Sequence, residues 1–163
     1  MATVIRTLDL DDELLLTRVV AVSGAGYRVE AALLGVDPDR FPPAGATAED
    51  LRDSGQAFLG AFSGDALAGV LSHEPAPDGS LDICRLVVDP AFHRRGIGRA
   101  LVEAVIAVSR KQPLTVSTGA ATAPARALYE GLGFDLVRSS EVEGIPLVHY
   151  RRARLARHHR ADL

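Results

Sequence analysis

The chain has 163 residues, 47% hydrophobic and 24% charged, with a mean hydropathy of +0.12 and one cysteine, Cys84; this fits a single domain with a sizeable core and excludes global disorder, collagen-like sequence and a disulfide-stapled miniprotein. No apolar run reaches the roughly 18 residues of a spanning helix, and the start lacks the basic, apolar and small-residue regions of a secretory signal, so the expected compartment is the cytoplasm with no membrane partner. Charge divides unevenly: residues 1–84 hold 14 acids and 5 bases (net −9) and residues 85–163 hold 7 acids and 13 bases (net +6), which suits an anion held by the second half and a cation such as an amine drawn to the first, or plain surface scatter.

Val4 to Leu8 reads as a first strand. Asp9 or Asp11 is placed to cap a helix through about Val22, with Leu14, Leu15, Val19 and Val20 inward; Gly24 and Gly26 break it, and Tyr27 to Leu34 adds another turn or two. Phe41 to Gly45 ends that segment, and Thr47 to Asp50 forms a capping box that opens a short helix. The period then changes to that of strands: Ala57–Phe62, Ala66–His73 and Leu81–Val88 read as an antiparallel meander. Gly98–Arg110 is a helix with Leu101, Ala104, Val105 and Val108 at helical spacing, stopped by Pro113. A short strand at Leu114–Thr118, a helix with Pro124 in its first turn and Gly133 at its end, and a hairpin of Phe134–Val142 and Ile145–Arg152 around Glu143-Gly144 complete the chain. The expectation is a mixed α/β sheet in one domain, residues 1–154, followed by a solvated basic tail, residues 155–163.

The segment LVVDPAFHRRGIGRALVEAV couples a strand end, a basic glycine-containing loop and an immediate helix start. First-turn N–H groups carry partial positive charge, Gly96 and Gly98 let a bulky anion approach the backbone, and Arg94, Arg95 and Arg99 add charge, so the loop suits a phosphate or pyrophosphate. It is not a Walker loop, which needs Gly-Lys-Ser/Thr, and the dinucleotide fingerprint fails because Leu101 stands at its third glycine.

With Val88-Asp89-Pro90 leading into His93-Arg94-Arg95-Gly96-Ile97-Gly98, and Ala125, Tyr129, Gly133 and Phe134 in A-x-x-x-Y-x-x-x-G-F spacing, the sequence resembles the GNAT N-acetyltransferase superfamily. The resemblance implies a mostly antiparallel seven-stranded sheet with helices on both faces, and acetyl transfer from acetyl-CoA to a primary amine of a small molecule or peptide, by direct attack in a ternary complex. It implies that the backbone of Leu86, Val87 and Val88 pairs with the pantetheine arm in a gap between the strands at Leu81–Val88 and Leu114–Thr118. His93 to Gly98, including Ile97, together with Arg99 hold the pyrophosphate, and Val87 or Val88 N–H serves an oxyanion. His93 replaces the usual Gln or Arg. Thr122 stands where many members carry an Asn that bonds the arm, and it reads equally as a helix cap. Ala125 and Tyr129 belong to the second motif. A homodimer is a family-level expectation, and a non-catalytic acyl-CoA sensor is the rival reading.

Acetyl transfer needs a neutral amine, a proton for the leaving thiolate and N–H donors for an oxyanion. Tyr129 resembles the family's general acid, its phenol being protonated at neutral pH. Asp82, six residues before Val88, is the candidate base because the resemblance implies an acid on this strand, as in histone-acetylating members; strand alternation places it on one face with Cys84, Leu86 and Val88, it reads equally as a solvated acid at the strand edge beside Asp78-Gly79, and Glu74 is a weaker alternative. Cys84 has no evident His partner and reads as packing. His149, His158 and His159 lack zinc-site spacing, so no metal is expected, and the arginine tail lacks interleaved aromatics, so no nucleic acid is expected.

Overall fold

The computed structural model describes residues 2–109 and 111–153. Seven strands form one sheet in the order β1-β2-β3-β4-β5-β7-β6, with β1 at Thr3–Thr7, β2 at Ala57–Ser63, β3 at Ala66–Pro75, β4 at Leu81–Val88, β5 at Leu114–Gly119, β6 at Asp135–Val142 and β7 at Ile145–Arg152. All neighbours run antiparallel except β4 and β5. Four helices lie against it: α1 (Glu13–Leu34), α2 (Ala48–Arg52), α3 (Ile97–Val108) and α4 (Ala123–Gly131). One face packs α1 and α2 through Leu16, Val19, Val22 and Leu51 onto Phe58, Val70 and Val87. The other packs α3 and α4 through Leu101, Val105 and Tyr129 onto Leu71, Ile83, Val116 and Tyr150. No helix among the described residues is long and apolar enough to cross a membrane. The expected tail at 155–163 lies outside the described residues.

Local chemistry accounts for most element ends. Thr47 and Asp50 bond each other's backbone N–H groups, a complete capping box at the start of α2. Glu143 and Gly144, at φ 49° and 81°, form the left-handed turn of the β6–β7 hairpin. Gly133, at φ 90°, turns the chain out of α4 into β6.

The expected break at Gly24 and Gly26 does not occur; α1 is one helix of 22 residues. It begins at Asp12, not Asp9 or Asp11, because Asp12 Oδ1 accepts from both Leu14 and Leu15 N–H. That start rotates the buried stripe to Leu16, Val19 and Val22 and leaves Leu14 80% exposed. Glycine costs a helix about 1 kcal/mol relative to alanine, but at Gly26 it lets α1 rest on the backbone of β4: a Cβ there would lie 2.9 Å from Val88 O and inside the Val87 side chain. At Gly24 the nearest atom would be Ala44 O at 3.8 Å, an ordinary contact. Gly24→Ala should therefore stabilise the protein by about 0.4–1 kcal/mol, whereas Gly26→Ala should destabilise it by about 1–3 kcal/mol, as read by the thermal midpoint of each variant.

Candidate active site

β4 and β5 pair at only three positions, Leu81–Leu114, Asp82–Thr115 and Ile83–Val116. On their outer edges pairing continues, β4 with β3 to Val88 and β5 with β7 to Gly119. The two strands thus part in the middle of the sheet, and β4 beyond Ile83 presents an unpaired edge toward β5. A bulge marks the parting: Ser72 pairs Arg85 and His73 pairs Ile83, which leaves Cys84 as an extra residue. The bulge reverses the alternation. Leu81 and Ile83 face the α3–α4 side, and Leu86 and Val88 face it too, while Val87 faces α1. The expectation that Asp82 shares a face with Leu86 and Val88 is therefore corrected; the one-residue insertion at Cys84 separates them.

The gap opens into a cleft of about 580 Å³. Its walls are Gly26, Val29 and Glu30 of α1, Leu86, Val87 and Val88 of β4, and Thr122, Ala125 and Leu128 around the start of α4. Its mouth is formed by His93, Arg94, Gly96, Ile97, Gly98 and Arg99. Of the residues expected at the anion loop only Arg95 stays outside, its guanidinium 5.2 Å above the centroid of the Phe92 ring. Arg94 and Gly96 both take left-handed conformations, φ 65° and 74°. Gly96 caps α3 without a side chain, and the first bond back along α3 is from Ala100 N–H to Gly96 O, so the N–H groups of Ile97, Gly98 and Arg99 have no partner within the helix. Arg99 Nε lies 3.2 Å from Glu103 Oε2, which steadies the guanidinium at the cleft mouth.

Thr122 does not cap α4 with its side chain. It is 4% exposed and its Oγ1 is buried with no hydrogen-bond partner among the described residues. A buried hydroxyl without a partner is costly, and this one lies on the cleft wall. Of the two roles open to Thr122 in the sequence, the cap is the one that its side chain does not perform.

At its inner end the cleft meets a smaller cavity of about 70 Å³ inside the gap, the two sharing Glu30, Leu86 and Ala125. Tyr27, Cys84, Arg85, Ser117 and Tyr129 line this inner cavity. Tyr129 is 3% exposed and held edge-on by Phe134 at 5.3 Å. Burial, then the neighbouring Tyr27 and Glu30, push its phenol pKa far above the ordinary value, so it keeps its proton at any physiological pH. Burial likewise pushes Glu30 from an ordinary 4.5 up to about 7. Cys84 is pushed up to about 12 by burial and by the carboxylates of Asp82 and Glu74, so it remains a thiol and not a nucleophilic thiolate. Strand pairing of Glu74 with Asp82 brings these three side chains within 4.8 Å of one another, a proximity that sequence spacing does not reveal.

Asp82 lines neither cavity; its Oδ1 accepts from Thr115 Oγ1 at 2.6 Å, one residue pair below the gap. Ser117 Oγ lies 2.6 Å from His149 Nδ1, and the other ring nitrogen lies 2.6 Å from Ser140 Oγ, so His149 ties β5, β7 and β6 together beside the gap. Three titratable residues of the inner cavity escaped sequence reasoning: Tyr27, Glu30 and Arg85. Tyr27 and Glu30 sit on a helix far from the motifs, and the only available signal was their three-residue spacing on the face that also carries Gly26.

A family model described as an acetyltransferase (GNAT) domain matches residues 38–154. The chain is 35% identical over 117 residues to the UPF0157 protein YqkA of Bacillus subtilis, a match of 71% of this chain to 33% of that one. The chain thus spans about a third of the length of that relative. It is 32% identical over 109 residues to the N-alpha-acetyltransferase RimI of Mycobacterium tuberculosis, covering 65% of this chain and 68% of RimI. In fold it is similar to the PaiA N-acetyltransferase of Thermoplasma acidophilum, solved in complex with coenzyme A, with a TM-score of 0.76 and 18% identity over 94% of this chain and 99% of that one.

Proposed function

The chain belongs to the GNAT acetyltransferase family, and from that premise we propose that it moves an acetyl group from acetyl-CoA to a primary amine of a small molecule or peptide, within one ternary complex. The observation that carries this reading is the pair of adjoining cavities that runs from the start of α3 to Tyr129, at the place where β4 and β5 part. Its dimensions and donors suit a long ligand with an anionic end. First-turn amides favour negative charge, the β4 edge offers unpaired backbone groups to an extended arm, and Thr122 Oγ1 supplies a hydroxyl without a partner.

Acetyl-CoA, when bound, supplies an activated acyl carbon and a sulfur leaving group. The residues of the chain do the rest. Ile97, Gly98 and Arg99 N–H hold the pyrophosphate, with the Arg94 and Arg99 side chains at the mouth. Leu86, Val87 and Val88 position the arm, and an N–H of the β4 edge receives the developing oxyanion charge. Tyr129 holds its hydroxyl proton as the donor for sulfur. Glu30 takes the proton of the acceptor amine: it stands at the junction of the two cavities, and a base with a pKa near the working pH is the effective one. Asp82 is the alternative acceptor, reaching the gap only past Cys84. No covalent acyl-enzyme is required, in keeping with the thiol state of Cys84.

Acetyl-CoA at about 100 times its Kd should stabilise the protein by about 2.7 kcal/mol, read as a rise of several degrees in Tm, and an equal concentration of ATP should not. Equal shifts would reduce the loop to a general anion site. Thr122→Val should raise the Tm of the free protein, by removing a buried hydroxyl without a partner, and should shrink the acetyl-CoA shift. Tyr129→Phe should lower kcat about 100-fold or more while the acetyl-CoA shift persists; full activity would remove Tyr129 from the acid role.

The pH profile separates the two bases. Activity should rise with pH through about 7, as Glu30 loses its proton; Glu30→Gln should abolish that limb, and Asp82→Asn should leave it in place. Stability gives an independent check. The folded pKa of Glu30 is raised, so its contribution is fully present below the ordinary value of 4.5 and is lost as pH climbs through about 7. The Tm of the wild type should therefore fall relative to Glu30→Gln across that window and hold a constant offset above it.

A further inference from the structure

Arg85 is the one cationic residue among those that line the inner cavity, and the proposed chemistry leaves it unused. It follows the bulge at Cys84 on β4 and lines the cavity opposite Ser117 and Thr118 of β5. Its Nε and Nη1 are buried and make no hydrogen bond, and no carboxylate pairs with it among the described residues. Its guanidinium carbon lies 5.4 Å from the centroid of the Tyr27 ring, so an aromatic face holds it in place without satisfying its donors. Arg85 as a whole is half-buried, and two buried guanidinium nitrogens without an acceptor are costly. The neighbouring acids have other partners: Thr115 donates to Asp82, and Asp50 serves the Thr47 cap.

We propose that Arg85 binds a carboxylate of the acceptor, so that this enzyme acetylates amines that also carry a carboxylate, as an amino acid or short peptide does. This rests on the acetyltransferase reading given above. A carboxylate fits better than a phosphate: the cavity is small, Arg85 is the one cationic residue in its lining, and Glu30 at its rim together with Glu74 and Asp82 beside Cys84 would repel a dianion. The same acids attract the ammonium of the acceptor. An amine with one negative group at a short distance answers both signs, the carboxylate on Arg85 and the nitrogen turned toward Glu30. The guanidinium is a specificity element, and it touches the acceptor away from the reacting nitrogen.

The test uses binding, so that it does not depend on turnover. Glycine and glycylglycine, with glycinamide and glycylglycinamide as their uncharged-end partners, are titrated into the full chain with and without CoA, while the side-chain Nε–H signals of ¹⁵N-arginine-labelled protein are followed. One carboxylate form should bind at least about tenfold tighter than its amide and move the signal that Arg85→Lys deletes. Free amino acid and peptide are distinguished by which pair shows the preference. Arg85→Gln and Arg85→Met should lose the preference while keeping the acetyl-CoA thermal shift, and their Tm should fall by no more than a few degrees, since the guanidinium loses only its contact with the Tyr27 ring and no hydrogen bond or ion pair. Equal binding of acid and amide, an unchanged preference in both variants, or a Tm loss of many degrees in both would overturn the proposal. If the wild type shows the carboxylate preference and no acetyl-CoA shift, the acetyl-CoA reading fails and the carboxylate site stands.

Discussion

Three residue pairs hold β4 to β5, and the chemistry open to the molecule depends on that pairing stopping at Ile83 and Val116. A sheet continued to the strand ends would have a closed, hydrogen-bonded middle and no path between its faces. The bulge at Cys84 adds one residue to β4 just where the two strands part, turning Leu86 and Val88 to the α3–α4 side. Ala125 and Tyr129 of α4 border the space that opens. Outer partners hold both strands, β3 for β4 and β7 for β5, so the gap is braced from each side. Behind α4 the brace is polar: Tyr150 donates to Glu130 Oε2 and accepts from Arg126 Nε at 3.0 Å, while Arg126 Nη1 donates to Ala120 O at 3.1 Å.

The helices supply opposite ends of one electrostatic path. α3 points its N-terminus at the cleft mouth, where a glycine cap leaves the first-turn amides bare. α1 brings Tyr27 and Glu30 to the inner end, and it can do so only because Gly26 lets it lie directly on Val87 and Val88. The charge split visible in the sequence has this as its spatial counterpart. The basic loop belongs to the positive second half and Glu30 to the negative first half, and they meet across the cleft.

What the sequence disclosed was local. The strand–loop–helix at Val88–Gly98 and the helix carrying Tyr129 each encode their local geometry within about a dozen residues, through turn chemistry and helix polarity that need no tertiary partner. The seven strands and the meander order were legible from alternation and turn residues. The course of α1 was not, because Gly26 breaks a helix by propensity and is tolerated here for packing against a strand more than 60 residues later. The facing of Asp82 failed for a similar reason: period-two alternation holds only without a bulge, and the bulge at Cys84 is a property of its pairing with β3. Glu30 and Arg85 escaped notice because each is an ordinary charged residue in sequence, and burial in a shared cavity is what makes them unusual.

That burial also sorts the titratable groups by what they can do. Desolvation is the largest influence on Tyr129, Glu30 and Cys84, and it moves all three in the same direction, toward the protonated form. Because their ordinary values differ, one physical effect yields three different states near neutrality. Tyr129 and Cys84 are locked as neutral donors, and Glu30 alone is left close enough to neutrality to exchange a proton. The carboxylates of Asp82 and Glu74, second only to burial in raising the Cys84 value, keep its sulfur from becoming a thiolate. The acids beside the gap thus have a role even where they line neither cavity: they hold Cys84 as a thiol, while in the proposed reaction Glu30 gains the proton of the amine and Tyr129 gives its own to the sulfur.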